Sequence, residues 1–443
     1  MNRVRWITWW LAAVAAIALS HRSLTASAGD WPQWRGPRGD GTSDETGLPI
    51  RWSQSEGVAW QTELPGWGTS TPAISGDAIF LTAHRDDRDL LVLKIDKPTG
   101  EIVWTRQVGT GTAARMPLRK KDGGERQQQK FHKLQNMASP SPVTDGQIVV
   151  VHFGSGDLAA SDFAGHQLWH RNLQEDHGRY TIWWGHANSP IIHEDLVISV
   201  CMQDSLADLN DTLTPSYVVA HDLQTGELRW QTMRMTDAVS EECDSYTTPL
   251  VCRVDQHWEM VIVGADTIDA YDPSTGRQLW FLTGLAKART ITGPTIGHGR
   301  VFATRGMKGQ MLAVPLGGRG EVSAESVAWR YSEGTPDSST PVLWDDLLFM
   351  VSDDGIARCL DAHTGHMYWR QRLSGNYKAS PIAAEGKIFF LSMEGRTTVV
   401  AAEKQYEELS VNPLEGEFLA SPAVSDGRIY LRDRDTLYCI GGD

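Results

Sequence analysis

Ala220-His221-Asp222-Leu223-Gln224-Thr225-Gly226 runs on to Trp230, and Ala270-Tyr271-Asp272-Pro273-Ser274-Thr275-Gly276 runs on to Trp280. Both stretches place an Asp two residues after a small residue, then Thr-Gly, then a Trp four residues after the Gly. The spacing returns at Cys359, Asp361, Thr364, Gly365 and Trp369. Asp96, Thr99, Gly100 and Trp104 repeat it with Lys94 in the small-residue place, and Ala160, Asp162, Gly165 and Trp169 repeat it one residue shorter. A small residue lets neighbouring layers approach, Asp accepts turn amides, Gly takes the positive φ of a tight turn, and Trp is large enough to fill the space between layers.

Working outward, each unit is preceded by a Ser or Thr followed by Pro and a strand-like run. These starts are Thr71-Pro72, Ser141-Pro142, Ser189-Pro190, Thr248-Pro249, Thr340-Pro341, Ser380-Pro381 and Ser421-Pro422, with Gly293-Pro294 in the remaining place. Alternating runs such as Lys387 to Leu391 follow turn pairs such as Glu385-Gly386. Four short strands per unit, repeated, make a propeller blade, which buries its two faces only by stacking in a ring. The expected fold is therefore all-β: an eight-bladed β-propeller of four-stranded antiparallel blades over residues 52–443. The last unit ends at Asp443 without a tryptophan strand, whereas Val58-Ala59-Trp60-Gln61 stands unused before the first start. That N-terminal strand is expected to close the ring. Seven blades is the alternative, should the degenerate seventh unit, with Ala401 in the small place and Leu409 in the Trp place, merge with a neighbour. Trp60, Trp104, Trp169, Trp230, Trp280, Trp329 and Trp369 are read as structural.

The 18 tryptophans thus have a use, and the net charge of −14 argues against a general nucleic-acid binder. Residues 1–28 read as a signal peptide: Arg3 and Arg5 lead, Ile7 to Leu19 are apolar, and Ala26-Ser27-Ala28 offers small residues for cleavage. An uncleaved anchor is the alternative, because His21 and Arg22 interrupt before that site. No cysteine precedes Cys201, so there is no acceptor for an N-terminal lipid. An exported, periplasmic or extracellular monomer, soluble after cleavage, is expected, with residues 29–51 an extended segment ahead of the propeller.

The repeat resembles the tryptophan-docking motif of the pyrroloquinoline-quinone (PQQ)-like propellers. These include quinoprotein alcohol dehydrogenases and a related non-catalytic (BamB-like) propeller that assists outer-membrane β-barrel assembly. The leader Trp31-Pro32-Gln33-Trp34-Arg35-Gly36-Pro37 is similar to the start of many exported propellers of this kind. For the enzymes, the resemblance implies adjacent cysteines in a disulfide against the quinone, a calcium held by Glu, Asn and Asp, and a catalytic Asp. This chain has no adjacent cysteines. A non-catalytic binding or assembly scaffold of the cell envelope is the favoured expectation, with no cofactor, no metal and no catalytic residue. A PQQ- and calcium-dependent oxidoreductase is the alternative, since fold does not fix function.

The connections leading into the starts should gather on one face around the axis, where loops held by a rigid scaffold carry function. Trp67, Asn136, Trp184, His186, Asn188, Asp244, Tyr246, Arg289, Asp337, Tyr377, Lys378 and Phe418 are the candidates for a polar ligand funnel, their aromatic, cationic and carboxylate groups suiting such a pocket. The partner would be an envelope protein or a polar ligand. A second candidate is the basic stretch Thr105 to Ser139, where eight Lys or Arg face two acids. Glu241, Glu242 and Asp244 could hold a hard cation but read as a solvated loop, as do Asp204, Asp208 and Asp211. Asp353-Asp354-Gly355 reads as a hairpin turn. Cys359 and Cys439 occupy the small-residue place, leaving Cys201, Cys243 and Cys252 for one disulfide of open connectivity. No phosphate-binding glycine loop, zinc spacing or nucleophile elbow occurs.

Overall fold

A computed structural model of the chain describes residues 29–111, 118–119, 122–126, 131–206, 214–285 and 288–441. The expected signal peptide lies outside the described residues, as do Asp208, Asp211 and parts of the basic stretch. The chain folds into eight antiparallel blades, whose inner strands are Ala73–Ser75, Val143–Thr144, Ile191–His193, Leu250–Val254, Thr295–Gly297, Val342–Trp344, Ile382–Ala384 and Ala423–Ser425. These begin blades 1 to 8. Blade 3 shows the plan: Ile191–His193, Leu196–Cys201, Ser216–Asp222 and Leu228–Arg234 pair in sequence order. Its second strand is buried throughout because both faces meet neighbouring blades, while the outer strand is largely exposed. The seventh unit stands as its own blade, so the ring has eight members rather than seven.

Closure is as the sequence predicts. Val58–Glu63 pairs antiparallel with Thr436–Ile440 and becomes the outer strand of blade 8, with Trp60 opposite Cys439. Gly441 N–H donates to Gly57 O (2.9 Å), joining the two ends of the chain where other blades have a continuous turn.

The tryptophan motif proves to be a contact between blades. In six of the eight blades a β-bulge accompanies a Trp set opposite the small-residue position, as in Ala220 with Trp230 and Ala270 with Trp280, while blade 5 pairs Ala313 with Trp329 without one. The indole then reaches the turn of the next blade: Trp169 lies against Gly226, Trp230 against Gly276 and Trp329 against Gly365. A Cβ added at Gly276 would stand 2.4 Å from the Trp230 ring, so the Gly is needed for space as well as for its φ of 70°. Trp60, Trp104, Trp169 and Trp329 also donate Nε1–H to Lys97, Phe163, Leu223 and Ala362 carbonyls at 2.9 to 3.1 Å, each the residue after a motif Asp. The seventh unit corrects the sequence register. Val399, not Ala401, holds the small-residue position, and Ser410, not Leu409, stands opposite it, Leu409 falling in the bulge. Trp52 of the N-terminal segment is buried beside this blade and donates its backbone N–H to Asn412 Oδ1 (3.0 Å).

The Ser/Thr-Pro starts have a reason that spacing alone does not reveal. Thr71 N–H donates to Ser141 Oγ (2.9 Å), Ser141 N–H to Ser189 Oγ (2.9 Å), and Ser189 N–H to Thr248 Oγ1 (3.2 Å). Gly293, Thr340 and Ser380 donate in turn to the hydroxyls of Thr340, Ser380 and Ser421 at 2.8 to 3.0 Å. The hydroxyls thus form a collar linking blade to blade at the axis, satisfying amides that an inner edge would otherwise leave unpaired. Gly293 interrupts it for want of a hydroxyl. Between Ser421 and Thr71 the link is instead Thr71 Oγ1–H to Ser421 O (3.2 Å). The following Pro suits this edge because it has no N–H to place.

Residues 30–48 run across the end of the ring where the first hairpin turn of each blade lies. Trp31 pairs with Ile74 of blade 1 and Pro32 O accepts from Thr144 of blade 2. Arg35 donates to Thr340 O (3.0 Å) and Pro341 O (2.7 Å) of blade 6. Thr42–Ser43 adds in parallel to Ile382–Ala384, and Glu45 accepts from the Asp426 and Gly427 amides of blade 8. The Trp31 and Arg35 side chains are buried. The segment therefore acts as a floor under the axis. No helix among the described residues is long and apolar enough to cross a membrane.

Candidate functional site

At the end of the ring opposite this floor lies a cavity of about 360 Å³. All eight connections into the inner strands contribute to its lining: Thr69, Ser139, Ala187, Tyr246, Ile291, Ser338, Lys378 and Leu419, each two residues before the Ser, Thr or Gly of its start. His132, Leu134, Gln135, Trp184, Arg289 and Asp337 complete the wall.

Of the candidates read from sequence, Trp184, Tyr246, Arg289, Asp337 and Lys378 line this cavity. The other seven do not. Asn136, His186, Asn188, Asp244, Tyr377 and Phe418 are buried, and Trp67 lies beneath the Arg434 guanidinium at 4.6 Å. Backbone alternation accounts for part of this: His186, Tyr377 and Phe418 are three residues before their starts and Asn188 one before, and all four are buried, although Asp337, also three before its start, reaches the cavity. Their roles there are specific. Asn188 Nδ2 donates to Thr247 O (2.6 Å), Tyr377 Oη donates to Ser374 O (3.1 Å), and Phe418 packs on Tyr438. His186 Nε2 stands 3.2 Å from His152 Nδ1, and His152 Nε2 stands 3.0 Å from Tyr180 Oη. Burial holds the His152 imidazolium well below the usual histidine range, with the neighbouring His186 and His221 pushing the same way.

The cavity wall is tied down by carboxylates behind it. Asp244 accepts from Trp183 N–H and from Tyr246 Oη–H (2.9 Å), and Tyr246 Oη accepts from Trp184 N–H (3.3 Å). This assigns Asp244 to holding the Trp184 and Tyr246 backbone and ring in place rather than to a solvated loop. Asp353, read from sequence as part of a hairpin turn, accepts from the Asp337 and Ser338 amides (3.0 Å each) and from Lys378 Nζ (2.5 Å). Arg289 pairs with Asp337 at 2.9 Å. His132 lies edge-on to Trp184 at 5.4 Å, and burial first, then Lys378, Lys133 and Arg289, lower its pKa from the usual histidine value. The wall thus joins two cations, one carboxylate, an imidazole, an indole and a phenol over mostly small or apolar residues. That mixture suits a polar ligand or an inserted side chain.

The basic stretch contributes here in a way composition does not show. Arg106 belongs to the outer strand Ile102–Thr110 of blade 1, and Leu118–Arg119 pairs with Glu125–Arg126 as a short hairpin. The stretch then returns to the axis, bringing His132, Leu134 and Gln135 into the cavity. Spacing relative to the starts would have found the eight residues at the second position before them. Nothing in the sequence marks His132 or Gln135.

All five cysteines are free thiols, so the expected disulfide among Cys201, Cys243 and Cys252 does not form. Cys359 and Cys439 stand opposite Trp369 and Trp60, as small buried residues of the repeat.

A family model described as outer membrane protein assembly factor BamB matches residues 42–213, 214–316 and 318–412. Among solved structures, BamB from Moraxella catarrhalis is similar at a TM-score of 0.59 and 15% identity, over 87% of this chain and 99% of that one. A europium-containing methanol dehydrogenase is similar at 0.66 and 11%, over 92% and 90%. The quinohemoprotein alcohol dehydrogenase from Comamonas testosteroni is similar at 0.62 and 13%, over 94% and 81%. No curated protein sequence matches the chain. At these identities the solved structures speak for the fold alone, and they include both an assembly factor and dehydrogenases.

Proposed function

Because the chain belongs to the family described as outer membrane protein assembly factor BamB, we propose that it works as a non-catalytic binding scaffold of the cell envelope, with the axial funnel as its recognition site. The observation that carries this reading is the one-sided cavity to which every blade contributes, floored by the N-terminal segment. Such a site is rigid, because its lining sits on the ends of eight packed blades, and it is asymmetric, because the connections differ in sequence. A partner inserting a polar side chain or loop would meet Arg289 and Lys378 beside Trp184 and Tyr246. Aromatic and arginine anchors of this kind commonly dominate binding energy at protein interfaces.

The calcium of the quinoprotein alcohol dehydrogenases that the repeat resembles does not fit the donor set. Calcium takes six to eight oxygen ligands, usually with several carboxylates. Among the described lining residues the sole carboxylate is Asp337, already paired with Arg289, while Asp353 and Asp244 behind the wall are engaged by amides, Lys378 and Tyr246. The cysteine pair expected to lie against the quinone is absent from the sequence. Titration of the purified protein with PQQ and calcium, followed by absorbance and tryptophan quenching, should give no saturable binding and no dye reduction. Saturable binding accompanied by dye reduction would overturn the scaffold reading.

A further inference from the structure

We propose that Asp176, His177 and His221 form a binding site for a borderline divalent transition-metal ion of the zinc type, bridging blades 2 and 3. Asp176 and His177 end the short helix Leu173–His177, which follows the outer strand of blade 2. Asn172 caps the helix by accepting from Gln174 N–H (3.1 Å) and Glu175 N–H (3.3 Å), and Gly178 stops it at a φ of 97°. His221 comes from the third strand of blade 3, between the small residue and the Asp of the tryptophan motif, and its partners Val197 and Leu228 fix its register. Each of the three residues offers a ligand atom within 4.8 Å of the other two.

A second observation points to a ligand. Nε2 of His177 and Nδ1 of His221 are both buried without a hydrogen-bond partner, and His221 is only 1% exposed. An orphaned buried nitrogen costs free energy, and two beside one carboxylate are unusual in a well-satisfied interior. A metal ion accepts both imidazole lone pairs at once. Two nitrogens and one carboxylate oxygen suit zinc, copper or nickel better than calcium or magnesium, which prefer all-oxygen sets. The exposed Asp176 leaves the remaining coordination positions to water. Arg171 is the internal competitor, its Nε lying 3.8 Å from the Asp176 carboxylate.

The exposed trio His298, Asp346 and His363 also meets the distance requirement, but its nitrogens are engaged: His298 Nε2 with Asp345 O (2.9 Å) and His363 Nε2 with Asp346 Oδ1 (3.0 Å). It serves as the control. The test is competition of the chelator-stripped full-length protein against a zinc indicator, with melting followed in parallel. One equivalent of zinc should bind and raise the melting temperature. His177→Ala should weaken that equivalent at least tenfold, as should His221→Ala, and Asp176→Asn should weaken it less. Arg171→Gln should tighten it, and His363→Ala should leave it unchanged. His177 is partly exposed at a helix end and Asp176 is exposed, so these two variants stay folded even if His221→Ala does not. Zinc binding only at millimolar concentration, or an equivalent that survives both His177→Ala and Asp176→Asn, would overturn the proposal.

Discussion

Deleting residues 29–61 should abolish cooperative unfolding, whereas deleting residues 29–53 should lower the melting temperature and leave a single transition. Both truncations lose the floor and Trp52. Only the longer one removes Val58 to Gln61 of the closing strand, which leaves most of Thr436–Ile440 as an open edge and strips Trp60 from the seam with blade 1, where its ring covers Gly100 and its Nε1–H donates to Lys97 O (3.1 Å). A ring gains its stability from the absence of ends, and an unpaired edge invites association with other chains. Calorimetry and light scattering of the two truncations side by side check this. If the longer truncation melts like the shorter one, the closure argument fails.

Trp280→Ala should cost about 3–5 kcal/mol, the usual range for emptying a large aromatic site in a core, read from denaturant melts. Trp280 is fully buried between blades 4 and 5, and its Nε1–H donates to Glu259 Oε2 (2.9 Å), a carboxylate that is itself fully buried. The alanine variant therefore leaves both a cavity and a poorly satisfied carboxylate. Trp280→Phe fills most of the space but lacks the donor and should cost about 1–3 kcal/mol, the penalty for one unsatisfied buried polar group. Glu259 retains the His257 ring at 2.9 Å and the Gly317 amide at 3.3 Å, which keeps the phenylalanine variant folded. A loss below about 1 kcal/mol for Trp280→Ala would place it with ordinary surface substitutions and contradict its structural role.

The ring and its closing strand were legible because the motif is rigid in spacing: small residue, Asp, Gly and Trp each answer a separate geometric demand. Where the motif decays, register decays with it. In the seventh unit no Trp or Gly marks the bulge, and the bulge's extra residue shifts the outer strand, which is how Leu409 and Ala401 came to stand for Ser410 and Val399. The candidate site was half legible for a related reason. Chemistry-bearing residues before the starts were collected without regard to which way they turn, yet the second position before the start is the one that lines the cavity in all eight connections, while Arg289 and Asp337 reach it from further back in theirs. His132 and Gln135 reach the cavity from a long connection without periodicity, and the floor built by Trp31 to Glu45 comes from a segment with none. Their contacts lie tens to hundreds of residues away in sequence, 49 for Gln135 and Trp184 and 305 for Arg35 and Thr340, so no local pattern could disclose them.

The scaffold account is tested most directly by photocrosslinking in the native host, with a benzophenone side chain at Leu134 on the funnel wall or at Asp77 in the exposed first turn of blade 1, at the opposite end of the ring. The Leu134 probe should capture a discrete envelope protein and the Asp77 probe should not. Adding Arg289→Ala or Trp184→Ala should remove that capture while the melting temperature stays close to the parent's. Equal capture from both ends, or capture from Leu134 that persists in both variants, would contradict recognition at the funnel.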